Sequence, residues 1–265
     1  MEKPKQRSKL RSMLGHLFYR IRKNLYWYFS RVKFAKQSKN HLQYLIFEHK
    51  TPLRRELKNV DNWMQENKIQ NLKLAIQKIN NITINPSEVF SYWREIGNPN
   101  SKKGYLPGMI LSNGKVKSGV GGGLCQLSNL IFWVCLHSPL TVIERWRHSY
   151  DVFPDSNRSQ PFGSGATCSY PYIDLQIKND TQASFQIKFE LSQDFLVAKL
   201  FSDKPQKYQY KIIEKGHHIE HESWGGYSRN NQIYRQIFDP ENLNLIDEVL
   251  VAENHAIMMY DPLLK

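Results

Sequence analysis

The sequence predicts an α+β fold: a helical N-terminal part, a Gly-rich loop into a central apolar helix, and an antiparallel β-sheet toward the C-terminus. Three observations predict it. Leu10, Leu14, Leu17, Ile21, Leu25, Tyr28 and Val32 recur at three- and four-residue steps, the spacing of one helix face. Gly121, Gly122 and Gly123 immediately precede the most apolar segment, residues 124–136, which has helical length. From Tyr172 onward the period changes to two, as in Phe185/Ile187/Phe189/Leu191 and Leu196/Ala198/Leu200, the pattern of half-buried strands. The order of helices first and a meander of strands last is that of an α+β chain.

Residues 8–36 read as one basic amphipathic helix, with Arg7, Arg11, Arg20, Arg22, Lys23, Arg31 and Lys33 between the apolar positions. Residues 42–48 are a short apolar run with strand character. Residues 53–79 carry a helical stripe of Ile69, Leu72, Ala75, Ile76 and Ile79, and Asn80-Asn81 ends it. Asn113-Gly114 between Met109-Ile110-Leu111 and Val116 is a hairpin signal. Residues 140–144 read as a strand, and short strands are expected near 208–213, 233–238 and 248–258. Length suits one or two domains. The expected division is a basic extension over 1–50, a core domain over 51–203 and a β-rich extension over 204–265.

Composition excludes several classes. A hydrophobic fraction of 40% with 23% charged residues is ordinary globular usage and not that of a disordered chain. Three cysteines, none in a CxxC pair, do not make a disulfide framework, a zinc finger or a thioredoxin-like motif. The net charge of +13 is concentrated: residues 1–36 hold eleven Lys/Arg against Glu2, leaving only +3 for the rest. A nearly neutral body with a basic leader argues against a nucleic-acid groove across the fold. It suits an anionic membrane surface met by residues 8–36, with Tyr26, Trp27, Tyr28 and Phe29 at the headgroup boundary. The plainer alternative is a helix packed on its own domain with a solvated basic face. No stretch approaches the roughly 20 apolar residues of a membrane span, and no cleavable signal peptide is evident. Free thiols and the lack of an export signal suggest the cytoplasm, at the inner membrane face if the leader binds lipid.

The chemistry-bearing segment is residues 120–130. Three consecutive glycines suit a tight turn or a close approach. Cys125 then falls in the first helical turn, where unpaired N–H groups and the helix dipole favour a thiolate and could hold an oxyanion. Gln126 would assist catalysis, and Ser128 with Gly121, Gly122 and Gly123 would line the pocket. A nucleophilic cysteine needs a base, and His148 is the natural partner. Asp151, Asp155 and Asp174 are the candidate orienting acids. Arg145 and Arg147 could clamp a carboxylate or phosphate, and Tyr92, Trp93 and Tyr105 could stack on a sugar or peptide. Core packing is the plainer alternative for each aromatic, and for Cys125 itself. Cys135 and Cys168 read as core. His217-His218-Ile219-Glu220-His221-Glu222 has an i, i+4 histidine pair, but the flanking glycines favour a polar loop, so no metal is expected. Neither a P-loop nor GxGxxG is present, and no cofactor is indicated.

Five stretches resemble the VanW family, whose name comes from an accessory product of vancomycin-resistance clusters. They are Asn85-Pro-Ser-Glu-Val-Phe-Ser-Tyr-Trp, Lys103-Gly-Tyr-Leu-Pro-Gly, Gly121-Gly-Gly-Leu-Cys-Gln-Leu-Ser-Asn, Glu144-Arg-Trp-Arg-His-Ser and Tyr172-Ile-Asp-Leu-Gln-Ile-Lys-Asn. The resemblance implies a link to glycopeptide resistance and to a cell-wall peptide or precursor, but supplies no reaction. In one place the chain departs from the pattern. Relatives tend to carry Asp where Gly165 stands, which weakens a catalytic-triad reading.

Overall fold

The computed structural model describes residues 8–54, 61–112, 114–154 and 160–262. The chain is α+β, with helices mainly in its first half and mostly antiparallel sheets. Helix α1 (Lys9–Phe29) stops well before residue 36. At Ser30 the backbone becomes extended (φ −72°, ψ 156°). The chain then runs beside residue 89: Ala35 N–H donates to Val89 O at 2.9 Å and Val89 N–H to Lys33 O at 2.9 Å. Burial of Phe34 and Ala35 in this position outweighs continuation of the helix.

A five-stranded antiparallel sheet has the order β1 (Lys36–Gln37), β3 (Ile82–Ile84), β10 (Phe185–Leu191), β11 (Phe195–Ser202), β2 (Tyr44–Pro52). The sequence boundary at residue 50 therefore falls inside an edge strand of this sheet. Helix α2 (Asn62–Ile79) buries Leu72, Ala75, Ile76 and Ile79. A short α3 (Tyr92–Ile96) follows β4 (Val89–Ser91), which joins β9 (Gln176–Lys178) and β7 (Thr141–Glu144) in a second sheet. The hairpin β5 (Pro107–Ser112) and β6 (Lys115–Val120) pairs Ser112 with Lys115 across the two-residue Asn113-Gly114 connection; Asn113 lies outside the described residues.

A turn over Gly121–Leu124 leads into α4 (Cys125–Leu136), nine of whose twelve residues are buried. It packs on β2 and β11. The C-terminal meander is β12 (Gln209–His221), β13 (Tyr227–Phe238) and β14 (Leu245–Met258), with β8 (Tyr150–Asp151) parallel at its edge. These strands are longer than their apolar runs suggest. In particular residues 217–221 are strand rather than loop, His218–His221 pairing against β13 beyond a bulge over Gly216 and His217. Among the described residues no group of three or more metal-ligating side chains gathers there or elsewhere.

At the end of α4, His137 stacks on Phe47 with ring centroids 3.7 Å apart, and its Nδ1 donates to Trp133 O at 2.9 Å. Burial lowers its pKa to about 4. Because the unfolded chain, with its ordinary value near 6.5, takes up the proton first, stability is full above about 6.5 and declines as pH falls toward 4. The expected loss from this group is about 3 kcal/mol at most. Urea-unfolding curves from pH 7 to 4 should show that decline, and His137→Gln should flatten it.

Candidate functional site around Cys125

The start of α4 is set by contacts between backbones. A Cβ on Gly122 would lie 2.1 Å from the carbonyl carbon of Gly108 in β5, so nothing larger than glycine fits. Gly123 has φ +89°, and a Cβ there would meet Lys68 Cγ at 2.2 Å. Buried Asn71 of α2 clamps both partners: its amide donates to Leu106 O (2.9 Å) and Gly122 O (3.0 Å), and its Oδ1 accepts from Leu106 N–H (2.8 Å). Tyr92 Oη donates to Leu124 O at 2.9 Å, fixing the residue before the helix.

This frame places Cys125, half-buried, as the first residue of α4. Its Sγ lies 3.5 Å from Cys168 O and 3.6 Å from Cys168 Sγ. The Cys168 thiol hydrogen bond is the largest influence holding Cys125 well below the ordinary thiol range. Burial opposes it, while a hydrogen bond and charge interaction from His148 add to the lowering. Cys168 shifts the other way, well up, by burial and by the neighbouring negative sulfur. Cys135, ten residues along in the core, is pushed up to about 12 by burial. Of the three cysteines, Cys125 alone is shifted toward the thiolate.

Of the first-turn amides, Gln126 N–H is occupied by Gly123 O at 3.0 Å and Leu127 N–H by Leu124 O at 3.1 Å. The amides of Leu124 and Cys125 donate to no acceptor among the described residues, as is common for the first N–H groups of a helix.

Several sequence-nominated residues are committed to the fold. Gln126 turns away from the sulfur and donates to Thr51 Oγ1 (3.0 Å) and Pro52 O (2.8 Å), tying α4 to β2. Ser128 is fully buried and donates to Ala166 O at 2.6 Å. Tyr92, Trp93 and Tyr105 are 0%, 3% and 4% exposed, so their rings pack in the interior and offer no open stacking face. Arg145 braces the 163–165 loop through Gly165 O (2.9 Å) and Gly163 O (2.5 Å), and burial lowers its pKa to about 10. Arg147 stacks on Phe162, its guanidinium carbon 3.8 Å from the ring centroid. Gly121 and Gly123 take positive φ in the turn, and Gly122 makes the close approach to Gly108.

The orienting acids are placed as clearly. Asp151 pairs with Arg229 at 3.6 Å and accepts from Tyr260 Oη at 2.9 Å. Asp174 is fully buried among Ser91 Oγ (2.6 Å), Trp93 N–H (2.9 Å) and Lys23 Nζ (3.2 Å), and burial raises its pKa. Asp155 lies outside the described residues. No described carboxylate hydrogen-bonds His148. Gly165 sits against Asn129, whose Oδ1 accepts from Ala166 N–H at 2.8 Å and occupies the space a side chain at 165 would enter. The residues missed from sequence are Cys168, Asn71 and Asn129. Only Asn129 lies within a motif; the other two lack any local signature.

A cleft of about 330 Å³ opens between α1 and the 170–172 segment, lined in part by His16, Arg20, Asn98, Tyr170 and Tyr172, and does not include Cys125 or His148.

Fold and site together define an α+β domain in which a cysteine at a glycine-turned helix start meets a second cysteine and a histidine. The chain belongs to the VanW family: the family model for VanW-like protein matches residues 67–201. It is 40% identical over 186 residues to the vancomycin B-type resistance protein VanW of Enterococcus faecalis (strain ATCC 700802 / V583), covering 70% of this chain and 68% of that one. It is 27% identical over 144 residues to the uncharacterized protein YoaR of Bacillus subtilis (strain 168), covering 53% of this chain and 45% of that one, so it spans less than half of this longer relative. No solved structure matches it.

Two outcomes follow from the geometry. Gly122→Ala should destabilise the fold by about 2–3 kcal/mol, read from chemical denaturation, because a backbone must move to admit the methyl. In iodoacetamide titrations, Cys125 should react at a pH well below Cys135. Cys168→Ala should shift the Cys125 midpoint upward, whereas Cys168→Ser, which keeps a donor, should shift it less.

Proposed function

We propose that this protein is a VanW-like accessory factor of glycopeptide resistance that performs Cys-dependent acyl transfer or amide hydrolysis on a peptidoglycan precursor. The observation that carries the proposal is the Cys125 sulfur, held low in pKa by Cys168 and His148 beside two uncommitted amides. In this reading the Cys125 thiol gives its proton to His148, and the thiolate attacks an amide or ester carbonyl of the precursor peptide. The carbonyl oxygen becomes an oxyanion opposite the Leu124 and Cys125 N–H groups. Collapse forms a thioester and breaks the C–N or C–O bond, and His148 returns its proton to the departing amine or alcohol. Water or an acceptor amine then releases the acyl group. The link to vancomycin resistance comes from the relative so named, and a peptidoglycan precursor as substrate is the step this reading adds to it.

A second reading, a precursor-binding module without turnover, is favoured by one observation: no described acid orients His148, as a strong general base would require.

Incubation with muramyl-pentapeptide precursors should give a Cys125 acyl adduct by intact-mass spectrometry. Cys125→Ser should fold normally, by circular dichroism, and give no thioester. Saturable precursor binding, unchanged in Cys125→Ser and with neither adduct nor product, would establish the second reading in place of the first.

A further inference from the structure

Helix α1 is attached by an unexpected side. At 3.6 residues per turn, His16, Tyr19, Lys23, Tyr26 and Trp27 share one face, and this is the face that meets the body. His16 and Tyr19 rest on the Tyr172 ring. Lys23, buried, bridges Glu144 (2.6 Å) and Asp174 (3.2 Å). Tyr26 Oη donates to Gln176 Oε1 at 3.1 Å, and Trp27 Nε1 donates to Ser91 Oγ at 3.0 Å. The opposite face carries Leu10, Leu14, Leu17, Ile21 and Leu25, which remain 63%, 55%, 53%, 50% and 52% exposed. Tyr28 and Phe29 extend it at 76% and 80%. A helix that serves only its own domain turns such a stripe inward. Here polar and aromatic groups make the attachment, and the leucine stripe faces outward.

Charge selects the occupant. Arg20 stands on one flank of the stripe, Arg11 and Arg22 on the other, all three exposed, and α1 contains no acidic residue. Pairing this face with a second copy would set two acid-free, arginine-bearing helices side by side, an unfavourable juxtaposition of like charge. An anionic lipid surface meets both demands at once, taking the leucines into the acyl boundary and the guanidinium groups among phosphates. No described helix is long and apolar enough to cross a bilayer, so this attachment is in-plane. We propose that α1 lies on an anionic membrane surface by its Leu10–Leu25 face, with the Lys23–Glu144–Asp174 cluster fastening the rest of the protein beneath it. The inference does not depend on the chemistry of Cys125.

The test is flotation of the full chain with vesicles of phosphatidylcholine alone or with about one-third phosphatidylglycerol. Wild type should float with the anionic vesicles about tenfold or more above the neutral ones, and less so in high salt. The Leu17→Asp/Ile21→Asp variant and the Arg11→Gln/Arg20→Gln/Arg22→Gln variant should each lose most of that binding. Both change exposed side chains, and an unaltered thermal midpoint checks their fold. Equal partitioning onto both vesicle types, no flotation at all, or binding unchanged in both variants overturns the proposal. So does a wild-type dimer in light scattering that the leucine variant dissolves, since the stripe would then be a self-interface.

Discussion

Gly108 and Gly122 bring two backbones closer than any side chain allows, and the position of the Cys125 sulfur follows from that contact. The β5–β6 hairpin can lie against the turn only because neither residue carries a Cβ. Asn71 closes the junction with three hydrogen bonds, and Tyr92 holds Leu124 from the other side. Helix α4 therefore starts at a defined place and direction, with Cys125 at its mouth. Interiors are dense enough to transmit a displacement of a few tenths of an ångström. A change at Gly122, which never touches the sulfur, therefore acts on it.

The motifs that carry the family resemblance have a physical coherence in this frame. The 103–108 stretch supplies Gly108, the 121–129 stretch Gly122 and Cys125, the 85–93 stretch Tyr92, and the 144–149 stretch His148. The 172–179 stretch supplies Asp174, which binds Ser91 Oγ and Trp93 N–H and so secures the segment holding Tyr92. Asp174 also receives Lys23, a buried charge whose loss would leave the Asp174 carboxylate uncompensated in the interior. Asp174 is thus spent on structure, joining α1 to the second sheet rather than orienting an imidazole.

What was legible in the sequence was what local pattern encodes. The α+β order, the β5–β6 hairpin and the alternation of β10 and β11 follow from period and turn chemistry. The end of α1 was not legible, because burial of Phe34 and Ala35 beside Val89 is a long-range gain that no helical period reports. Nor were the roles of Gln126, Ser128 and Arg145. Each is polar and adjacent to a motif, yet each satisfies distant carbonyls: Pro52, Ala166, and Gly163 with Gly165. Buried polar groups must find partners, and which ones they find is decided by chain segments tens of residues away. Cys168 was hidden for the same reason. Its sulfur partner, Cys125, is 43 residues earlier in the chain.

Cys168 gives the site a character different from a thiol activated by an acid-oriented histidine. A thiolate stabilised only by strong fixed charge loses intrinsic nucleophilicity as its pKa falls, by roughly half of the change on a logarithmic scale. The ionised fraction gains faster than that until the pKa passes below ambient pH, so moderate stabilisation serves reactivity better than extreme stabilisation. A neutral S–H is a weak donor that can be surrendered as the sulfur's charge moves into a new bond, and the Cys168 carbonyl at 3.5 Å gives the protonated form a resting orientation. In the proposed acyl transfer the amides of Leu124 and Cys125 are a separate destination for negative charge. Under the proposed acyl transfer, the second cysteine steadies the charge before attack and the helix start receives it afterwards, which leaves His148 only a proton to carry.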